Sequence, residues 1–282
     1  MKRVVFSLIF LFFITAAFCF DWPVLYPQSP IYSYFGQKRD NVTNFGLLFS
    51  DRQEVVSIDG GQVLASVPSK KYRIGSFNSP LGNYVLVQHS GEMVSVYGNL
   101  ESISLDSSVE RIELGTLLGY SNDFGVFNQK TNLEFQIIDL KNKVFINPLL
   151  LLPKKQLKES LVITDVLCIN KNGNNFNLAT RKYLQMGSYG LYARIQGMPY
   201  KTQVILNGAV VESLTYDVFN ANEGLLNVAG KKRYNLADLH RGDGGLFLSN
   251  IVLPYGKNNI TILITDSQGI EKKLSYNVEV YR

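Results

Sequence analysis

Gly82-Asn83-Tyr84-Val85-Leu86-Val87-Gln88-His89, then Ser90-Gly91-Glu92, then Met93-Val94-Ser95-Val96-Tyr97 is the stretch whose reading decides the fold. Both runs are short and rich in Val and Tyr, residue types enriched in strands. A three-residue connection containing glycine joins the two runs, which predicts a tight β-hairpin. Further short strands are predicted on either side, at 55–58 and 62–65 before it and at 117–120 and 133–138 after it. No segment sustains a helical period. The chain reads as all-β.

Composition agrees with that reading. The 282 residues include 23 Gly, 16 Tyr and 17 Phe, and 46% are hydrophobic, enough to bury a sizeable core and to exclude global disorder. Charge is mild: 28 Lys and Arg stand against 23 Asp and Glu, a net of +5. Loss of Lys2 and Arg3 with a leader lowers it by two to +3. So weak and scattered a charge gives no reason to expect nucleic acid.

Residues 1–19 read as an export signal, with Lys2-Arg3 ahead of an apolar run from 4 to 18 that is short for a span. Ala17 and Cys19 suit cleavage after Cys19, with cleavage after Ala17 a close second. A lipid anchor at Cys19 is disfavoured by the bulky Phe18 before it, and a retained anchor ranks third. The membrane is then met only through this segment or such an anchor. The expected location is the periplasm or cell envelope. With Cys19 removed or lipidated, Cys168 has no intramolecular partner, and its place in an alternating run predicts a buried, inert thiol.

Two β-rich units are predicted: 23–153, and 161–282 after a charged linker at 154–160. The second carries about seven strand candidates, at 161–169, 190–196, 203–206, 210–214, 250–253, 260–265 and 274–281. Asn207-Gly208 and Gly256-Lys257-Asn258 read as turns between them. This spacing suggests a β-sandwich, and 253–269 resembles the last hairpin of bacterial immunoglobulin-like domains. Residues 220–245 are less regular and read as a long loop or small subdomain.

The motif order in the first unit resembles the M23 (LytM/lysostaphin-like) peptidase family. Ser33-Tyr34-Phe35-Gly36-Gln37-Lys38-Arg39 is similar to its opening segment. Asn44-Phe45-Gly46-Leu47-Leu48 falls where that family has H-x-G-x-D. The hairpin's Gly82 to His89 is similar to G-N-Y-V-x-I-x-H. Tyr97-Gly98-Asn99-Leu100 stands for Y-x-H-L, Thr131-Asn132-Leu133-Glu134-Phe135-Gln136 for P-H-L-H-F-E, and Ile146-Asn147-Pro148-Leu149 for V-N-P-L. The resemblance covers roughly 28–153 and implies an M23-like β domain.

The same resemblance removes the chemistry. It implies zinc ligands at the positions of Asn44, Leu48 and Glu134, and assisting histidines at those of Asn99 and Asn132. None of the five is the expected residue. Zinc takes His, Cys, Asp or Glu as ligands, and one carboxylate does not hold it. Without the metal there is no Lewis acid and no activated water. Nor can the histidines lie elsewhere: the chain has only His89 and His240. No catalytic residue and no cofactor are expected. Three asparagines still keep polar groups, so a metal-free cleft around the five positions is expected.

Blander readings cover the other features. His89 lacks a nucleophile motif and reads as a surface or strand-satisfied histidine. Arg241-Gly242-Asp243 reads as an ordinary loop, and Lys231-Lys232-Arg233-Tyr234 as a solvated turn. Asn41-Val42-Thr43 and Asn259-Ile260-Thr261 are formal sequons, expected to be empty in a bacterial envelope protein. The implied function is a pseudo-peptidase that binds peptidoglycan or regulates a murein hydrolase such as an amidase, as family members without the metal site do. The alternatives are an active zinc endopeptidase with a rearranged site, and an envelope scaffold or adhesin. Zinc content and murein turnover separate the first alternative.

Overall fold

The computed structural model describes residues 20–25, 30–39, 42–68, 81–121, 133–154, 161–222 and 225–282. The expected leader at 1–19, Asn132 and nearly all of the expected linker lie outside them. Among the described residues the regular structure is strand, interrupted by three short 3-10 turns.

The first unit contains β1 (Ile31–Ser33), β2 (Lys38–Arg39), β3 (Val42–Thr43), β4 (Leu47–Phe49), β5 (Glu54–Val56), β6 (Gly61–Val67), β7 (Asn83–Gln88), β8 (Met93–Ile103), β9 (Arg111–Ile112), β10 (Leu117–Ser121), β11 (Leu133–Asp139) and β12 (Val144–Ile146). The decisive hairpin is β7–β8. Gly91 at φ 70° and Glu92 at φ 62° turn it. Strand β8 organises the unit. One edge pairs with β7; the other pairs first with β11 and then, near its end, with β10. Strand β11 in turn carries β4 at its start and β12 at its end.

Alternation sorts the residues of these strands. Leu47, Phe49, Val85, Val87, Tyr97, Leu133, Phe135 and Ile137 are fully buried in one core. Phe20 and Trp22 belong to it too, so packing starts before the expected boundary at 23. Trp22 Nε1 donates to the Pro153 carbonyl at 3.2 Å, which ties the start of the unit to its end.

The second unit contains β13 (Val162–Asn170), β14 (Asn175–Asn177), β15 (Tyr183–Gln185), β16 (Gly187–Gln196), β17 (Lys201–Leu206), β18 (Ala209–Asn222), β19 (Leu225–Ala229), β20 (Arg233–Asn235), β21 (Gly245–Leu253), β22 (Gly256–Thr265) and β23 (Glu271–Tyr281). One sheet runs β14-β13-β16-β21. The other runs β18-β17-β22-β23, with β15 parallel to β23 at its edge. Val166, Cys168, Leu191 and Leu248 of the first sheet share a core with Val204, Ile260, Ile262 and Val278 of the second, so the two form a sandwich. Cys168 is fully buried there, and burial pushes its thiol pKa up to about 12.

One local expectation is corrected and another is narrowed. Gly256-Lys257-Asn258 does not form a turn but opens β22, and the chain reverses at Pro254-Tyr255 instead. Residues 220–245, expected as a long loop or a small subdomain, are not a long loop but fit the second of these. They hold the end of β18, then β19, β20 and a 3-10 turn at Leu236–Leu239. This arm is pinned by Glu212, which is buried and accepts from Ser213 N at 3.0 Å, Lys231 N at 2.7 Å and the Tyr234 hydroxyl.

Strand β18 also joins the units. Its register against β19 breaks between Thr215 and Asn220, and there Val218, Phe219 and Asn220 pair antiparallel with β12. Asn147 seals the joint. Its N–H donates to Asp217 O at 2.8 Å and its Nδ2 to Tyr216 O at 3.2 Å, while its Oδ1 caps the turn at Pro148–Leu150. Phe35 of the first unit and Phe219 of the second stack at 4.0 Å, both buried, in a core made by both units.

Candidate functional site

The chain between β1 and β4 carries Asn44, and the backbone there is tightly folded. Gly36 turns it at φ 81° and donates to Asn44 O at 2.8 Å. A β-carbon at Gly36 would also lie 2.8 Å from the Phe219 ring, so glycine is required there twice over. The Asn44 side chain, 7% exposed, staples the loop. Its Nδ2 donates to Ser33 O (3.0 Å), Tyr34 O (3.2 Å) and Gly46 O (3.0 Å), and its Oδ1 accepts from Gly46 N at 3.1 Å. The amide nitrogen has no lone pair to give a metal, and the oxygen is already engaged.

Leu48 and Glu134 are directly paired across β4 and β11. Their sequence neighbours Leu47, Phe49, Leu133 and Phe135 are all fully buried in the core. Strand alternation therefore sends Leu48 and Glu134 together to the opposite face. Gly98 of β8 faces Glu134 from the other side, which completes a Leu48-Glu134-Gly98 row. Burial pushes the Glu134 carboxyl above the usual range, and a hydrogen bond from Gln136 Nε2 at 2.6 Å only partly offsets it. None of the ion pairs found among the described residues includes Glu134.

Asn99 follows Gly98 at the bulge between β7 and β8. It holds φ 59°, a left-handed conformation that Asn and Gly tolerate better than other residues. Its N–H donates to Leu81 O at 2.6 Å, and its side-chain oxygen is buried without a hydrogen-bond partner. Asn132 lies outside the described residues. The structure thus brings Leu48 and Glu134 together in one cross-strand row that ends at Gly98, puts Asn99 next to that row at the bulge, and puts Asn44 in the loop that leads into it. Gln136, which sequence reasoning missed, belongs with them. Its only signal was the two-residue spacing from Glu134 on one strand.

This donor set does not fit zinc. The row offers one aliphatic side chain and one carboxylate held by an amide; Asn99 beside it is fixed by its backbone, and Asn44 is bonded to its loop. Among the described residues no three His, Cys, Asp or Glu side chains are grouped so that they could hold a metal ion.

The histidines supply no replacement. His89 Nδ1 is 2.9 Å from Gly60 O, so it carries the proton, and Nε2 accepts from Ser95 Oγ at 2.7 Å. Ser95 lies 3.1 Å from the Tyr97 hydroxyl, which accepts from Ile58 N at 2.9 Å. Ser95 is fully buried, so this Ser–His pair has no access to a substrate and is a core network. Burial holds the His89 pKa down despite the hydrogen bond to Gly60 and the charge of Asp59. His240 Nε2 donates to Gly36 O at 3.0 Å across the unit boundary, and burial lowers its pKa also. Arg241 and Asp243 pair with each other at 3.3 Å instead of standing apart on a loop tip.

Residues 46–148 match the family model described as peptidase family M23. A second family model, which carries no description, spans residues 160–281. Comparison with curated proteins found no match. Among solved structures, the chain is similar to the SpoIIQ-SpoIIIAH pore forming complex at 17% identity and TM-score 0.38, over 49% of this chain and 93% of that one. It is similar to Helicobacter pylori Csd3 at 19% identity and TM-score 0.37, over 49% of this chain and 34% of that one. It is also similar to the antimicrobial peptidase lysostaphin from Staphylococcus simulans at 13% identity and TM-score 0.35, over 89% of this chain and 95% of that one.

Proposed function

Taking the first unit as an M23 peptidase-like domain, we propose that this protein is an exported, non-catalytic envelope protein that binds peptidoglycan and thereby regulates a separate murein hydrolase. The observation that carries the reading is the use made of Asn44. Where an M23 enzyme places a zinc ligand, this chain has an amide whose Nδ2 and Oδ1 both bond its own loop. Leu48 and Glu134 beside it leave one carboxylate, too few donors for a catalytic zinc that needs three protein ligands. A family framework kept without its metal chemistry is suited to recognition. The former cleft, with Leu48, Glu134, Gln136 and Asn99, is the surface proposed to meet peptide stems or the partner hydrolase.

The second unit serves in this reading as an immunoglobulin-like spacer and second docking surface. Its support is the strand arrangement: β13-β16-β21 face β18-β17-β22-β23 across one core, and β15 runs parallel to the last strand.

The test is co-sedimentation with dye-labelled sacculi, with zinc and with chelator. The reading predicts metal-independent binding and no dye release. Release that chelator abolishes, zinc restores and Glu134→Ala eliminates would contradict it.

A further inference from the structure

A cleft of about 400 Å³ lies where the two units meet, and its lining includes none of Leu48, Gly98 and Glu134. The first unit contributes Gln37 and Lys38; the second contributes Met198, His240, Arg241 and Gly242, among others. We infer that this cleft is a binding site for the free C-terminal carboxylate of a short peptide.

The charge of the lining points to an anion. Among the described residues it holds Lys38 and Arg241 and no carboxylate. Asp243, the nearest acid in sequence, pairs with Arg241 at 3.3 Å and with Arg194 at 3.7 Å, and Arg194 pairs also with Asp165 at 3.5 Å, so Lys38 is the lining cation that has no ion pair among the described residues. Arg241 is preorganised: its guanidinium lies over the Tyr192 ring at 5.0 Å, and the pair with Asp243 uses Nε. The terminal nitrogens form the edge that grips a carboxylate in two parallel hydrogen bonds. Gln37 is held by its oxygen, which accepts from Ser33 Oγ at 3.2 Å and Tyr34 N at 3.1 Å, so its amide N–H₂ is left as a donor. No atom lies within 4 Å of where a β-carbon would stand on Gly242 or Gly244, so a ligand can approach the backbone closely.

The rest of the lining selects the kind of anion. Ile195, Met198 and Leu246 make an apolar wall beside the two cations. A peptide end with small apolar side chains satisfies both sets of groups at once. An inorganic phosphate would leave the wall unused, and a polymer of repeated phosphates would bring more charge than two cations match. The site goes beyond the proposed function, since it needs neither the former metal cleft nor a partner hydrolase.

The experiment is an NMR titration of the ¹⁵N-labelled protein with N-acetyl-alanyl-alanine, with its C-terminal amide, and with inorganic phosphate, following the Gly242 and Gly244 signals. The acid is expected to saturate these shifts, and the amide to bind at least about tenfold more weakly. Lys38→Gln and Arg241→Gln should each weaken the acid by about tenfold, whereas Lys257→Gln, on β22 outside the cleft, should not. If Arg241→Gln disturbs folding through Tyr192 and Asp243, Lys38→Gln decides alone. Equal binding of acid and amide, no saturation by the acid, or phosphate binding as tightly as the acid would each overturn the proposal. Failure here leaves the sacculus experiment intact, and failure there leaves this one intact.

Discussion

Asn99 stands where the family resemblance implies a catalytic histidine, and its backbone explains the residue without reference to catalysis. At φ 59° an alanine is strained by roughly 1 kcal/mol relative to asparagine or glycine. Asn99→Ala is therefore expected to lower stability by about that amount, with Asn99→Gly near neutral, in urea unfolding. Glu134 makes a second residue-scale prediction. Its folded pKa is raised by burial, so the folded state binds a proton that the unfolded state has already released. Wild-type stability is thus fully present below the unfolded carboxylate range near pH 4 and falls as pH rises toward the folded value. Glu134→Gln should unfold with a midpoint that gains on wild type between pH 4 and pH 7; a constant difference would show that the site is not desolvated. His89 runs the other way. Its folded pKa is lowered, so its contribution is complete above about 6.5 and declines as pH falls below that value. His89→Gln should flatten the stability loss between pH 7 and pH 5, and an unchanged slope would count against the buried network. At this scale the sequence showed which donors were missing, because residue type alone excludes leucine and amides as a zinc set. It did not show that Asn44 binds its own loop, because those bonds go to carbonyls, which carry no sequence signature.

The elements were legible where short runs of strand-favouring residues are bounded by turn residues. The β7–β8 hairpin follows from two such runs around a connection that contains glycine, and the strands of the second core from turns such as Asn207-Gly208, whose φ values of 50° and 87° suit a two-residue hairpin connection. The length of β18 was not legible. Its register breaks between Thr215 and Asn220, where Tyr216 and Phe219 are both fully buried, so no single alternation spans it. The start of β21 was hidden for a different reason. Gly245-Leu246-Phe247-Leu248 is buried throughout, and the glycines before it read as loop. Within the arm, Glu212→Ala should leave Ser213 N, Lys231 N and the Tyr234 hydroxyl without their acceptor. Each such loss costs about 1–3 kcal/mol when water cannot replace it. Hydrogen exchange should then speed up across β19 and β20 before it does in β22; uniform acceleration would mean that the arm is not a separate cooperative element.

The whole molecule is joined by a continuous ladder, by stacked Phe35 and Phe219, and by the hydrogen bond from His240 to Gly36. None of these contacts could be read from the sequence, since each pairs residues far apart in the chain. Phe219→Ala would empty the centre of the shared core at a cost of about 3–5 kcal/mol. Wild type should melt in one transition in calorimetry and this variant in two. A single transition in both would show that each unit depends on the other by more than this joint.

The central claim is that the row holding Glu134 cannot hold zinc, and zinc retention tests it most directly. The purified protein would be equilibrated with micromolar zinc, dialysed against metal-free buffer and weighed by native mass spectrometry. The account predicts the metal-free mass for wild type and for Glu134→Ala alike. One retained zinc per chain, lost in Glu134→Ala, would contradict it and would mean that a working site has been built around that carboxylate.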